Sequence, residues 1–119
     1  MDKHNEQILL HIYAHCLDVE SFIKRFGNSI EDFKNDRAFY NSMCMSLMQI
    51  SDLSRDLTDN FIESTKEEIP WRAVKGLRNW IAHEYMDLDI KTIWETATVD
   101  IPVLMKLCKD SISIEEKNY

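Results

Sequence analysis

At 119 residues the chain is long enough to bury the core of one domain but too short for two, so residues 1–119 are predicted to form a single domain. Only two glycines and two prolines interrupt a sequence rich in Leu, Ile, Met, Glu, Lys and Asp, which favours an all-α fold and excludes a β-rich one. The formal net charge of −7 excludes an extended face for nucleic acid, although it leaves room for a small local anion site.

The first predicted helix runs from about Lys3 to Phe26. Its apolar residues fall within an arc of roughly 100°, which indicates a helix with one buried face. They are Ile8, Leu9, Ile12, Cys16, Val19, Ile23 and Phe26. Gly27 is expected to end this helix, because glycine adopts at low cost the backbone conformations found just beyond helix ends.

The second predicted helix runs from about Asp36 to Ile62, after a short connection over residues 30–35 in which Ser29 or Asp32 caps a turn. Its apolar side chains recur every three or four residues: Phe39, Met43, Leu47, Ile50, Leu53, Leu57 and Phe61. Met45 and Met48 widen this apolar face. We interpret them as core filling rather than as a surface shared with a partner.

Pro70 is expected at the first position of the third helix, where its missing N–H costs nothing. A stripe of residues predicted to be buried follows: Trp71, Val74, Leu77, Trp80 and Ile81. Gly76 lowers the helix propensity by about 1 kcal/mol relative to alanine. It marks either the close approach of another backbone or a ligand, or a tolerated defect.

Asp87 and Asp89 are expected to cap a fourth helix, and Asp100 and Pro102 to restart it as a last helical piece. The apolar residues of these two pieces are Ile90, Ile93, Trp94, Ala97, Val103, Leu104, Leu107 and Cys108. The polar tail, residues 111–119, is expected to fray. The pattern as a whole predicts four main helices in a bundle.

Three histidines lie along the edge of the first apolar face. His11 and His15, four residues apart, could chelate a metal with His4 or Asp18 nearby. Histidines that flank an apolar stripe are more often boundary residues, which pack one face of the ring and leave a nitrogen in water. We therefore expect no metal at these positions.

The cysteines and the chain start bear on the cellular compartment. Cys16, Cys44 and Cys108 are odd in number, far apart and surrounded by apolar residues, which indicates reduced core positions rather than disulfides or a zinc site. No apolar run approaches the roughly 20 residues that span a bilayer, and residues 1–6 do not read as a signal peptide. We expect a cytoplasmic protein without a membrane partner.

Arg78, His83 and Tyr85 form the pattern R-x4-H-x-Y near the end of the third helix. An arginine that holds a phosphate, a histidine that moves a proton near neutral pH and a nearby tyrosine hydroxyl suit phosphodiester chemistry. Asn79, four residues before His83, could orient the imidazole or contact the phosphate. These four residues are the candidate site.

Arg78 and His83 are about 140° apart around an undistorted helix, so they do not converge on it. Either the helix ends or kinks between them, or a second copy of the chain brings its own pair to the same place. A third interpretation, an ordinary salt-linked helix end beside two core tryptophans, also fits the spacing. The sequence contains no Gly-rich phosphate loop, nucleophile elbow or carboxylate cluster that would offer a rival site.

The segment IPWRAVKGLRNWIAHEY, from Ile69 to Tyr85, is followed by the D-x4-W pattern of Asp89 to Trp94 and by Ile101-Pro102. Together these residues closely resemble the HepT-like ribonuclease toxins of the HEPN superfamily. CMSLMQISDL, from Cys44 to Leu53, resembles the long second helix of the same family, so the likeness covers nearly the whole chain.

The resemblance implies a homodimeric, antiparallel bundle of four to five helices, in which the two motifs share a cleft and cleave RNA such as tRNA or mRNA, but not DNA, without a metal or cofactor. It implies that Arg78 stabilises the transition-state phosphate, that His83 transfers protons, and that Asn79 and Tyr85 line the site. Attack by the 2′-hydroxyl would give a cyclic phosphate and a 5′-hydroxyl. A nucleotidyltransferase antitoxin would silence the enzyme by transferring AMP to Tyr85, which adds bulk and negative charge.

Ser51 and Asp52 stand where that family usually has Gly-Glu, and this departure bears on the activity of the chain. The alternative function, from a different class, is a non-catalytic helical bundle that binds a nucleotidyltransferase partner or a nucleotide.

Overall fold

The computed structural model describes residues 2–112, which form seven α-helices and no strand. The helices are α1 (Lys3–Phe26), α2 (Ile30–Lys34), α3 (Arg37–Ser54), α4 (Asp59–Thr65), α5 (Trp71–Glu84), α6 (Ile90–Glu95) and α7 (Ile101–Ile112). A turn of 3₁₀-helix, Tyr85–Asp87, follows α5, and a π-helical turn, Thr96–Asp100, joins α6 to α7. The predicted all-α fold is confirmed.

The four long helices α1, α3, α5 and α7 form an antiparallel bundle. Near the start of α1, the side chain of Asn5 bonds that of Thr58 beyond the end of α3, so these two helices run in opposite directions. The Tyr85 hydroxyl donates to Asn41 of α3, and the Ser51 hydroxyl donates to the carbonyl of Lys75. Because the earlier residue of α3 contacts the later residue of the α5 segment, α5 is antiparallel to α3. The fourth helix, α7, packs against α1. The predicted bundle of four main helices is confirmed, with three short helices added.

Apolar side chains fill the space between these helices. Those with no exposed surface include Leu9, Ile12 and Cys16 from α1, Met43, Leu47 and Ile50 from α3, Ile81 from α5 and Cys108 from α7. An aromatic group of Phe33, Phe39 and Trp94, with ring centroids 5.1, 5.6 and 5.9 Å apart, packs α2 and α6 onto α3. This packing fixes the far end of the connection that carries Tyr85.

Side-chain caps decide where several helices begin. Ser29 caps α2, and Asp89 caps α6, as two of the sequence predictions stated. Asp87 is not a cap; it lies in the 3₁₀ turn, because the chain leaves α5 by a tighter turn. Pro70 precedes the first helical residue rather than being it, and its carbonyl accepts from the N–H of Val74.

The prediction of one helix from Asp36 to Ile62 was wrong. Its N-terminus is right, since Asp36 caps α3, but the helix ends at Ser54 and α4 begins at Asp59. The Thr58 hydroxyl accepts from the N–H of Phe61, while the Asn5 side chain bonds both the N–H and the hydroxyl of Thr58. These bonds from α1 stabilise a new helix start, which the apolar period alone does not reveal.

The predicted last helical piece is present as α7, which begins at Ile101, between Asp100 and Pro102, but no break in the helix precedes it. The chain stays helical from α6 through the π turn into α7, and the N–H of Ile101 donates to the carbonyl of Thr96. Ser111 and Ile112 belong to α7. The rest of the tail that was expected to fray, residues 113–119, lies outside the described residues.

Burial along α5 and α3 differs from the sequence prediction at several positions. Only Trp71 and Ile81 of the α5 stripe are buried, while the remaining three residues, Val74, Leu77 and Trp80, are partly exposed. A Cβ atom built on Gly76 meets nothing within 4 Å, so no other part of residues 2–112 approaches it closely. Met45 is 58% exposed, which contradicts its assignment to the core, whereas Met48 packs partly buried against the core.

All three cysteines are free and buried, as predicted. Burial raises the pKa of the Cys44 thiol to about 11 and that of Cys108 to about 12, so both stay protonated near neutral pH. None of the helices within residues 2–112 combines the length and apolar character that a membrane span requires.

The two glycines give a matched pair of stability predictions. Gly27 has φ +133°, and a Cβ there would lie 2.2 Å from Asp32 Oδ2, so Gly27→Ala should lower the free energy of unfolding by about 1–3 kcal/mol. Gly76→Ala, in an exposed helical position with open space, should raise it by up to about 1 kcal/mol. Urea unfolding followed by circular dichroism measures the free energy of unfolding of both variants. Equal effects of the two substitutions would contradict the conclusion that Gly27, but not Gly76, is required by the backbone.

Candidate active site

The motif lies on α5 and on the turn that follows it. Arg78, Asn79 and His83 are helical, and Tyr85 is the first residue of the 3₁₀ turn. Because α5 is unbroken from Trp71 to Glu84, the helix neither ends nor changes type between the arginine and the histidine. A helix end between the two residues, one of the ways to bring them together, is therefore absent, and α5 keeps them about 140° apart around the helix axis.

Arg78 is held on the side of α3. Its Nε lies 3.6 Å from Asp52 Oδ1, and the two side chains are 42% and 51% exposed. An ion pair this exposed contributes little to stability because water and salt screen it. The ion pair nevertheless orients the guanidinium towards α3. A phosphate that enters the site can compete with Asp52 for the guanidinium.

Ser51 fixes the backbone beneath the arginine. The side chain is fully buried, and its Oγ donates to the carbonyl of Lys75 at 3.0 Å and accepts from the N–H of Arg78 at 3.0 Å. Arg55 also donates to the Lys75 carbonyl, through Nη2 at 3.2 Å. A hydroxyl from α3 thus bonds two backbone groups of α5, and this contact helps to set the position of Arg78 relative to Asp52.

His83 and Asn79 are exposed, four residues apart on α5. Within residues 2–112 neither side chain makes a hydrogen bond or an ion pair, so both present free polar atoms to the solvent. The imidazole is therefore accessible to a ligand. That Asn79 orients His83 stays a prediction.

Tyr85 is held at two points. Its hydroxyl donates to Oδ1 of Asn41, and its carbonyl accepts from the hydroxyl of Tyr40 at 2.6 Å. The two tyrosine rings are 5.5 Å apart. Burial and the neighbouring Cys44 raise the pKa of Tyr40 to about 12, so its hydroxyl remains a donor at physiological pH.

Sequence reasoning missed Tyr40 and Asn41, which lie more than 40 residues before Tyr85. One signal could have pointed to Asn41: it occupies the same helical face as Met45, Gln49 and Asp52, at spacings of four, four and three residues. All four side chains are exposed, and we call them the α3 stripe. Tyr85 contacts one end of the stripe and Arg78 the other.

The α3 stripe shows how widely the motif is spread within one chain. Asn41 and Asp52 are eleven residues apart, which is about 16 Å along a helix axis. Their partners, the Tyr85 hydroxyl and the Arg78 guanidinium, are drawn to these opposite ends. Between them lies a shallow surface that includes Met45.

No group of three or more His, Cys, Asp or Glu side chains in the described part of the chain could hold a metal ion. Each of the three histidines of α1 has different surroundings. His4 Nε2 lies 2.7 Å from the Asp56 carbonyl, and His15 Nδ1 lies 3.7 Å from Asp18 Oδ2. His11 is exposed.

Residues 12–111 match the family model described as Ribonuclease HepT-like. The chain belongs to the HepT-like ribonuclease family. It is 33% identical over 109 residues to "Putative RNase TTE0752" of Caldanaerobacter subterraneus, covering 91% of this chain and 94% of that protein. It is 31% identical over 84 residues to "Probable ribonuclease HepT" of Thermococcus cleftensis, covering 69% and 76%. No solved structure matches the chain significantly.

Membership of the HepT-like family confirms the resemblance found in the sequence. The family model spans the α3 stripe, the whole of α5 and the 3₁₀ turn, so the candidate site lies entirely inside the matched region. A ribonuclease, with RNA as its class of substrate, is therefore the function at the level of the family.

Ser51 and Ser54 allow the positioning of Arg78 to be tested. Both side chains are fully buried, but Ser54 Oγ donates to the Ser51 carbonyl within α3, whereas Ser51 Oγ reaches α5. Ser51→Ala and Ser54→Ala should each cost about 1 kcal/mol of unfolding free energy. Only Ser51→Ala should also lower the rate of RNA cleavage. Equal cleavage by the two variants would contradict a positioning role for Ser51.

Proposed function

We propose that this protein is a metal-independent endoribonuclease and the toxin of a type II-like toxin–antitoxin pair. The observations that carry the proposal are an accessible imidazole, His83, and an arginine, Arg78, whose side chain α3 holds with 42% of its surface exposed. Membership of a ribonuclease family supports reading this pair as a site for RNA.

In the proposed reaction, Arg78 binds non-bridging oxygens of the scissile phosphate and stabilises the negative charge that grows on them in the transition state. His83 accepts the proton of the adjacent ribose 2′-hydroxyl. The 2′-oxygen forms a bond to phosphorus as the bond to the 5′-oxygen breaks, and the leaving oxygen takes up a proton from water. The products are a 2′,3′-cyclic phosphate and a 5′-hydroxyl. Asn79 and Tyr85 line the site.

The proposed enzyme is a homodimer, with Arg78 of one chain acting beside His83 of the other. Three observations support this: α5 is unbroken between the two residues, Arg78 is drawn towards Asp52, and Met45 exposes 58% of its surface on the α3 stripe between the two ends of the motif. A second chain seated on this stripe would cover the methionine and narrow the surface into a cleft.

A mixing experiment tests the shared site. Arg78→Ala and His83→Ala should each reduce cleavage of RNA, with EDTA present, by about 10²-fold or more. Co-expressed or refolded together in equal amounts, they should recover about a quarter of the wild-type activity, because half of the dimers are mixed and each mixed dimer has one intact site. Circular dichroism of each variant checks that it is folded.

No recovery on mixing, with dimers present, would overturn the shared site. Full activity of His83→Ala would overturn the catalytic assignment. A wild-type chain that leaves RNA intact but binds a nucleotidyltransferase would instead favour the non-catalytic bundle.

The proposed antitoxin is a nucleotidyltransferase that transfers AMP from ATP to the Tyr85 hydroxyl: the tyrosine oxygen loses its proton and bonds the α-phosphorus, and pyrophosphate leaves. That hydroxyl lies at one end of the α3 stripe, where its partner is the exposed Asn41. An AMP group there adds bulk and a negative charge beside the surface that an RNA phosphate must approach. The modification would therefore repel the substrate.

Tyr85→Phe tests this silencing, with Tyr40→Phe as the matched control. A nucleotidyltransferase encoded beside the gene should protect cells that produce the wild-type chain or Tyr40→Phe, but not cells that produce Tyr85→Phe, provided the variant is toxic alone. Growth assays and mass spectrometry of the modified peptide give the readout. Protection of cells that produce Tyr85→Phe would show that another residue or mechanism is responsible.

A further inference from the structure

A cavity of about 350 Å³ opens beside Tyr85, between the end of α2, the start of α3 and the 3₁₀ turn. We call it the tyrosine pocket. Its volume falls in the range of about 300–1,000 Å³ typical of small-molecule sites. Tyr85, which belongs to the candidate site, lines this pocket, whereas Arg78 and His83 do not, so the pocket adjoins the groups that carry the proposed chemistry.

The tyrosine pocket has a polar part and an aromatic and apolar part. In the aromatic and apolar part, Tyr40 and Tyr85 contribute rings 5.5 Å apart, and the buried Leu88 lies with Ile90 and Met86. Because the Tyr40 hydroxyl donates to the Tyr85 carbonyl, the ring and not the hydroxyl of Tyr40 is available to a ligand. Such a surface suits a flat, partly apolar group such as a nucleobase.

Two cations stand at the rim of the pocket. Lys34 and Arg37 are exposed, and within residues 2–112 neither forms an ion pair. Of the two carboxylates that also line the pocket, Asp36 accepts from the N–H groups of Ala38 and Phe39 as the cap of α3. The cations are therefore available to a phosphate, and Asp87 is available to accept from an amino or hydroxyl group.

We propose that the tyrosine pocket binds one nucleoside monophosphate unit, with the base against Tyr40, Tyr85 and Leu88 and the phosphate at Lys34 and Arg37. The unit could belong to an RNA chain or be a free mononucleotide, since both present the same base and phosphate. The RNA source rests on the proposed function: Tyr85 is two residues from His83, so the pocket would hold a nucleotide that flanks the cleaved bond.

Because the net charge of the chain is −7, RNA binding depends on a local site of this kind. Affinity of a polyanion for an acidic protein has to come from a few well-placed cations rather than from an extended basic face. Lys34 and Arg37 supply two of these on the same side of the molecule as the motif tyrosine.

The first test measures RNA binding in the His83→Ala background, so that RNA stays intact. Fluorescence anisotropy with a 5′-labelled eight-nucleotide RNA compares Lys34→Ala/Arg37→Ala with the matched control Lys3→Ala/Arg25→Ala, two exposed cations of α1. Both pairs change the net charge equally. The pocket variant should bind at least ten-fold more weakly, and the control less than two-fold. Equal losses in the two variants would overturn the RNA subsite.

Salt dependence adds a second readout. Each phosphate contact that is lost should flatten the plot of log affinity against log salt by about 0.7. The slope for Lys34→Ala/Arg37→Ala should therefore be less steep than that of the control by about 0.7 to 1.4. An unchanged slope would show that these cations do not contact phosphate.

The second test uses 5′-AMP and the wild-type chain, and it does not depend on cleavage. Titration followed by amide NMR should shift the signals of Lys34, Arg37, Tyr40 and Leu88 and leave those of α1 unchanged. If AMP shifts these signals and Lys34→Ala/Arg37→Ala also loses RNA affinity, the pocket binds a nucleotide of RNA. If AMP shifts the signals but the RNA affinity is unchanged, the pocket binds a free mononucleotide. Absence of both overturns the proposal. A wild-type chain that binds AMP but cleaves no RNA would contradict the proposed function and leave the pocket intact.

Discussion

The contact of α3 with α5 through the buried Ser51 hydroxyl is the interaction on which the candidate site depends. The hydroxyl bonds the Lys75 carbonyl and the Arg78 N–H, and Arg55 adds a second donor to the same carbonyl. Each such bond contributes only about 1 kcal/mol. Together, however, they set the register of two antiparallel helices, because a shift by one residue would leave a buried hydroxyl without partners.

That register places the motif along the edge of α3. With Ser51 opposite Arg78, the antiparallel direction brings Asn41 opposite Tyr85, and Asp52 lies next to the guanidinium. The Asp52 carboxylate reaches the arginine at 3.6 Å. Ser51 and Asp52 therefore both contact Arg78, through one backbone bond and one exposed ion pair. Since such a pair is weakly held, a phosphate can replace the carboxylate at low cost.

Local sequence rules predicted the elements that local forces decide. The first helix, its glycine terminus and the caps at Ser29 and Asp89 follow from the apolar period and from short-range hydrogen bonds. The break between α3 and α4 did not follow, because the apolar period continues through Leu57 and Phe61 while the new helix start depends on Asn5 of α1. In the site, the sequence pattern was enough to identify Arg78, His83 and Tyr85. It could not identify Tyr40, Asn41 or the role of Ser51, because these depend on contacts between residues 24 to 45 positions apart.

Tyr85 forms two hydrogen bonds, and AMP attached to its hydroxyl would affect only one of them. Its carbonyl bond to Tyr40 belongs to the backbone and would persist, whereas its hydroxyl bond to Asn41 would be lost once AMP is attached. The aromatic packing of Phe33, Phe39 and Trp94 holds the following helix in place independently of either bond. A charge could therefore be added at the end of the α3 stripe without unfolding the turn that carries it. This separation of backbone anchoring from side-chain exposure suits a residue that switches activity while the fold stays intact.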